Sequence, residues 1–208
     1  MASVNMKIIK LVLRFISRLF IVRKIRSEAI YFTFDDGPHK ENTEKILSLL
    51  EKYNFKASFF LVGQQVEQYP HIVQKIYQQG HSLGYHSYSH VNAKKSNFIS
   101  IWKDLKKAKT LENKYQISFN RRYRPPYGSL TISSVIILLL NGWKIYLWSL
   151  DSLDSYIDSD KVVQTLAPEK TSTGDIILMH DDYDSNTNVL EQLLIRYKST
   201  NISLAAIQ

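Results

Sequence analysis

The 208-residue chain contains no cysteine. That absence excludes disulfides and thiolate metal ligands, so any bound metal must rely on His, Asp or Glu. Proline and glycine are scarce, at five and seven residues, and no Pro/Gly/Ser-rich linker divides the chain. Internal repeats and low-complexity stretches are also missing. The length fits one domain with a sizeable core. Between Lys7 and Arg26 the longest run without a charge is residues 19–22. A membrane-spanning helix needs about 20 mainly apolar residues. A signal peptide needs an uncharged apolar stretch of about 7–15 before its cleavage site. Neither is expected here.

The composition, 44% apolar and 22% charged, is that of an ordinary globular protein. The net charge of +8 is unevenly spread. Residues 1–30 carry Lys7, Lys10, Arg14, Arg18, Arg23, Lys24 and Arg26 against Glu28, which leaves only +2 for the remaining 178 residues. A basic tail on a near-neutral domain argues against nucleic acid as a partner. Lys7, Lys10, Arg14 and Arg18 recur at helical spacing, and the apolar Leu11, Phe15, Leu19 and Val22 fall largely elsewhere on the wheel. The expectation is a basic N-terminal segment over residues 1–28 whose residues 7–26 form an amphipathic helix lying on an anionic membrane surface, with the folded domain over residues 29–208. A location peripheral to the cell membrane at its cytoplasmic face follows, with cytoplasmic or membrane-anchored outside as alternatives. The oligomeric state is not legible.

From residue 29 onward, short β-rich runs alternate with helical patterns. Strands are expected at 29–34, 57–62, 81–85, 120–124, 144–150, 175–179 and 201–207. Helices are expected at 43–53, 66–79, 95–115, near 161–166, at 189–198, and at 133–140, which is apolar enough to be read as buried. This alternation predicts an α/β fold in which parallel strands are covered by helices and closed, or nearly closed, as a barrel. In such barrels, chemistry gathers at the C-terminal ends of strands. Asp35-Asp36, His86, Arg124, Asp151/Asp154 and His180 all fall there.

Asp35-Asp36 sit where a strand meets Gly37-Pro38. Side chains alternate along a strand, so one carboxylate can bind a metal while its neighbour takes a proton. His86 and His90 are spaced i, i+4, which puts both rings on one side of a helical turn. With a strand-end Asp they form a His₂–Asp set that leaves coordination positions open, as a catalytic site requires. Arg124 precedes the rigid Pro125-Pro126-Tyr127-Gly128 turn, and its planar fork suits holding a carboxylate. Asp151, Asp154 and His180 end two further strands, where a carboxylate bonded to an imidazole makes a useful general acid. His81 reads as structural, and His39 and His71 as surface residues.

Together these five motifs resemble the polysaccharide deacetylases of the NodB-homology type, carbohydrate esterase family 4, over about residues 29–207. The resemblance implies a distorted, incompletely closed (β/α)7-type barrel. It implies a metal-dependent hydrolase that removes N-acetyl groups from N-acetylhexosamine units of a glycan or lipid-linked sugar. It also implies Asp36, His86 and His90 as ligands of a divalent metal, zinc in most of the family. Asp35 would be the general base, oriented by Arg124. The Tyr127 N–H would hold the oxyanion, and His180, oriented by Asp154, would be the general acid. Leu178, Pro126 and Trp148 would line the substrate pocket. One departure stands out: where the family carries Trp after the second acid of the fourth motif, this chain has Ser155, with Trp148 and Tyr156 as candidate replacements. A deformylase, an O-acetyl esterase and a catalytically inactive carbohydrate-binding relative remain open as alternatives.

Overall fold

A computed structural model describes residues 20–182 and 185–208. The expected N-terminal amphipathic helix lies mostly outside the described residues. Where the two overlap, the expectation is corrected: Ile21–Val22 is a strand, β1. The remaining strands are β2 (Ala29–Asp35), β3 (Ser58–Leu61), β4 (Ser82–Tyr85), β5 (Arg122–Tyr123), β6 (Lys144–Tyr146), β7 (Leu150–Asp151), β8 (Ile176–His180) and β9 (Ser203–Leu204). They form one sheet in the order β1-β6-β5-β4-β3-β2-β8-β7, with β9 also on β2. Every pairing between these strands is parallel. The sheet curls into an open half-barrel, as the resemblance implies. After β1, Lys24 bridges to Asp175 and the Ile25 N–H donates to the Gly174 carbonyl, so the incoming chain braces the turn before β8. Residues 21–28, expected to lie outside the domain, are thus built into it.

Seven helices are described: α1 (Asn42–Tyr53), α2 (Gly63–Gln68), α3 (Pro70–Gln78), α4 (Phe98–Tyr115), α5 (Ile132–Leu140), α6 (Ser159–Thr165) and α7 (Ser185–Lys198). The helix expected over 66–79 is two. Pro70 has no N–H to give and disfavours helical backbone at Tyr69, whose φ of −129° breaks the run. α4 and α5 begin on capping boxes, Asn97 with Ser100 and Thr131 with Ser134. Each such cap contributes about 1 kcal/mol. The strand expected over 144–150 is also two. β6 pairs with β5 and β1, whereas β7 pairs with β8 on the other side of the opening.

Both faces of the sheet are covered, so its strands are near-continuous apolar runs rather than alternating ones. Alternation survives as a choice of which core a side chain enters. Along β2, Ile30, Phe32 and Phe34 pack outward against the helices, while Ala29 and Tyr31 point into the barrel. On β3, Phe59 and Leu61 go outward and Phe60 inward. Gly84 on β4 leaves room for Phe60, whose ring atoms would lie 2.3 Å from a Cβ there. The period of two therefore puts Thr33 and Asp35 on the inner face of β2. His180 is the partner of Asp35 across the β2–β8 ladder.

Candidate active site

The inner face of β2 ends on a buried ion pair. Arg124 and Asp35 are both buried, and Arg124 Nη1 lies 2.7 Å from Asp35 Oδ1. The same Nη1 donates to Thr33 Oγ1 at 2.7 Å, and the Thr33 hydroxyl donates to the Ile177 carbonyl at 2.7 Å. The guanidinium also sits 4.0 Å from the centre of the Phe60 ring, the residue Gly84 makes room for. Burial pushes the Asp35 carboxyl above its usual range, with Arg124 opposing the rise. Removing one partner of such a pair costs about 3–5 kcal/mol, because the other charge is left buried and alone.

Asp36 leaves the strand in the left-handed region, with φ of 76°, and this separates its carboxylate from that of Asp35. Its Oδ1 lies 3.5 Å from His86 Nε2 and 3.1 Å from His90 Nε2. The three ligand atoms fall within 4.8 Å of one another. His86 Nδ1 is 2.8 Å from the Arg124 carbonyl, which calls for a proton on Nδ1 and presents the Nε2 lone pair to Asp36. Burial lowers the His86 pKa to about 3, so the ring is neutral, the form a ligand needs. Asp36 Oδ1 is buried with no hydrogen-bond partner. A buried carboxylate oxygen without a donor, facing two imidazole nitrogens, fits a divalent cation.

Across the cleft, His180 Nδ1 lies 2.8 Å from Asp154 Oδ1, and the His180 backbone N–H donates to Asp154 Oδ2 at 2.8 Å. Burial works against the charged ring, but the hydrogen bond and charge of Asp154, helped by Asp35 and Asp36, raise its pKa to about 9. The cleft between these walls has a volume of about 430 Å³. Trp148, Leu178, Tyr127, Gly128, Ser155 and Tyr156 also line it. Pro126 does not; it is buried beneath the turn, and its neighbours Tyr127 and Gly128 face the cleft instead. The turn's own hydrogen bonds run from Gly128 and Ser129 to the carbonyls of Pro125 and Pro126, and the Tyr127 N–H is not among them. Tyr127 itself has a φ of 59°. Asp36, His90, Tyr127 and Leu153, all with positive φ, line this one cleft. Such conformations cost energy and collect where function fixes the backbone.

Some contributors were not legible beforehand. Thr33 steadies Arg124, as described. Asp181, the residue after His180, is fully buried, accepts the Thr43 hydroxyl at Oδ2, and has His39 Nε2 at 4.0 Å from Oδ1. Burial raises its pKa to about 8. It lies directly under Gly37, where a Cβ would come within 2.0 Å of Asp181 Oδ2. His39 is therefore not a plain surface residue, although His71 is exposed. The one available signal was the acid following His180. His81 is structural, accepting the Ala57 N–H at Nδ1.

The polysaccharide deacetylase family model matches residues 23–144. The chain belongs to the polysaccharide deacetylase family. It is 34% identical over 152 residues to a peptidoglycan-N-acetylglucosamine deacetylase of Bacillus cereus, which covers 73% of this chain but only 55% of that protein. A crystal structure of a peptidoglycan N-acetylglucosamine deacetylase in complex with 4-naphthalen-1-yl-N-oxidanyl-benzamide superimposes with a TM-score of 0.82 at 27% identity, covering 90% of each chain. A wild-type pseudoenzyme of carbohydrate esterase family 4 from Bacillus anthracis superimposes nearly as well, with a TM-score of 0.81 at 25% identity, over 90% of this chain and 67% of that one. Fold likeness alone therefore does not separate active from inactive members, and the side chains at the cleft must.

Proposed function

We propose that this deacetylase-family chain is an active hydrolase that removes the N-acetyl group from N-acetylglucosamine units of a glycan of the peptidoglycan or chito-oligosaccharide type. The observation that carries the reading is the divided use of two adjacent carboxylates. Asp35 is committed to Arg124, and Asp36 to the pair of imidazoles. Each side chain expected to take part in the chemistry is present.

Asp36, His86 and His90 would hold a divalent cation, which we assign as zinc from the mixed oxygen and nitrogen donors. When bound, it supplies Lewis-acid polarisation of a water and of the amide carbonyl. Asp35 takes the proton of the attacking water. Its Oδ1 is anchored by Arg124, so the proton goes to Oδ2, which lies 3.7 Å from His86 Nε2. The Tyr127 N–H donates to the oxygen that gains charge as the carbonyl is attacked. His180 then delivers a proton to the departing nitrogen. Its Nδ1 is taken by Asp154, so delivery is from Nε2, and the elevated pKa keeps the ring charged at neutral pH. Leu178, buried at the cleft floor, offers an apolar contact for the acetyl methyl group. Ser155 lines the cleft in place of the Trp that the resemblance implies, and Trp148 and Tyr156 line the same cleft.

The test is release of free amine from N-acetylated chito-oligosaccharide and from peptidoglycan by the purified chain, with added zinc and with chelator. Chelator-sensitive release from either substrate supports the reading. Metal-loaded protein that binds these glycans without cleaving them would place the chain with the inactive members, and release of formate or O-linked acetate instead would reassign the bond.

A further inference from the structure

The sharpest departure from an ordinary protein surface lies on α4 and α5. α5 reads Ile-Ser-Ser-Val-Ile-Ile-Leu-Leu-Leu, and its buried residues are Ser134, Ile137 and Leu138. The opposite side is also apolar: Ile132, Ile136 and Leu140, at successive i+4 steps, are 59%, 45% and 75% exposed. The expectation that this helix is buried is thus corrected for its outer face. Phe98, Ile99 and Trp102, in the first turns of α4, are exposed as well. These three share one shallow groove of about 290 Å³ with Ile137, Leu140 and Asn141. None of these residues lines the catalytic cleft. A surface helix normally turns polar on its outer side, and a contiguous exposed apolar patch marks an interaction site.

The charge around the patch indicates its occupant. Residues 91–115 and 129–144, which carry the patch, hold Lys94, Lys95, Lys103, Lys106, Lys107, Lys109, Lys114 and Lys144 against Asp104 and Glu112, a net +6. Residues 31–208 as a whole carry +2, so the rest of the domain carries −4. Asp104 is half-buried, with Oδ1 accepting the Tyr88 N–H at 2.8 Å, and Glu112 is paired with Lys109 at 3.5 Å. The Lys106 ammonium lies 3.5 Å from the centre of the Trp102 ring, joining the basic rim directly to the apolar patch. Apolar side chains surrounded by lysines are what an anionic lipid surface accepts: the former enter the interface and the latter meet headgroups. A second copy docking by the same face would set one lysine rim against another. Residues 1–19, with Lys7, Lys10, Arg14 and Arg18 and no acid, carry the same sign and are equally poor occupants. Ile21 pairs with Ile145, which sets Phe20 level with Lys144, four residues beyond Leu140.

We propose that the α4–α5 face docks the protein on an anionic membrane, with Phe98, Ile99, Trp102, Ile132, Ile136 and Leu140 entering the interface. This holds whether or not the cleft is catalytic.

The test uses the full chain and vesicles of equimolar phosphatidylglycerol and phosphatidylcholine, beside vesicles of phosphatidylcholine alone. The wild type should co-sediment with the anionic vesicles, and the triple variant Ile99→Ser, Ile136→Ser, Leu140→Ser should partition about tenfold less. All three positions are exposed, and activity on a soluble oligosaccharide should be unchanged, which reports that the variant is folded. Lipids brominated near the headgroup should quench wild-type fluorescence, and Trp102→Phe should remove that quenching. Equal partitioning of the triple variant, or no quenching attributable to Trp102, would overturn the proposal. So would a dimer in solution that the triple substitution dissociates, which would assign the face to a second copy.

Discussion

Two imidazoles face one cleft, and their surroundings drive them in opposite directions. His86 has a pKa lowered to about 3, and His180 one raised to about 9. Burial acts against the charged form of both, and more heavily on the enclosed His86 than on the partly exposed His180. A further difference lies at Nδ1. His86 meets a neutral carbonyl, that of Arg124, with a guanidinium and a second histidine close by, whereas His180 meets the Asp154 carboxylate. The first wall is built to offer a lone pair and the second to offer a proton. One residue type thus serves two chemistries through its second neighbour.

The strongest way to sharpen that comparison is to disable the proton acceptor and leave both imidazoles in place. Asp35→Asn should retain metal and lose about a thousandfold in turnover. His90→Ala should instead lose metal content, because it removes a ligand. Metal analysis beside kinetics separates the two, and an active Asp35→Asn would reject the base assignment.

Next in size is Asp154→Asn, which should reduce turnover about a hundredfold. The sign of its pH effect follows from the charge. His180 donates only when protonated, so activity falls as pH rises through its pKa of about 9. Without the Asp154 charge that pKa drops, and the basic limb of the pH–rate profile should move to lower pH by at least about one unit. An unmoved limb would mean that a different group sets it.

The smallest effect is expected at Thr33→Val. It removes a hydroxyl that accepts from Arg124 and donates to Ile177, at a stability cost of about 1 kcal/mol by denaturant melting. Turnover should fall only a few-fold, since the Arg124–Asp35 contact itself is untouched. A loss as large as that of Asp35→Asn would place Thr33 in the chemistry rather than beneath it.

Much of this site could be read from the chain alone because its residues lie at strand ends, where local sequence fixes position. The buried run of residues 29–34 is a strand by composition, and the period of two then orients Thr33 and Asp35 together. What escaped was decided by distant partners. The strand at Ile21–Val22 was hidden because helical charge spacing extends to Arg18 and the next residues are apolar either way; only the free edge of β6 selects β1. The break at Tyr69 was locally available in Pro70 and was outweighed by the apolar period. The burial of Asp181 depends on Gly37 and Thr43, more than a hundred positions earlier. The outer face of α5 could not be assigned, since a helix apolar on every side reads as buried whatever surrounds it.

Arg124 joins the two halves of the site through different atoms: its guanidinium holds Asp35, and its backbone carbonyl fixes the tautomer of His86. Only the first of these depends on the side chain. Drift at this position would therefore strand a buried carboxylate and threaten the fold, while leaving the constraint on His86 in place. Tyr127 and the residues around Ser155 are not part of that buried pair and can change with far less harm to the rest of the molecule. A lineage descending from this chain would thus lose catalysis at the cleft's edge long before it could afford to lose the arginine, and a retained arginine in a relative is a record of ancestry rather than a sign of activity.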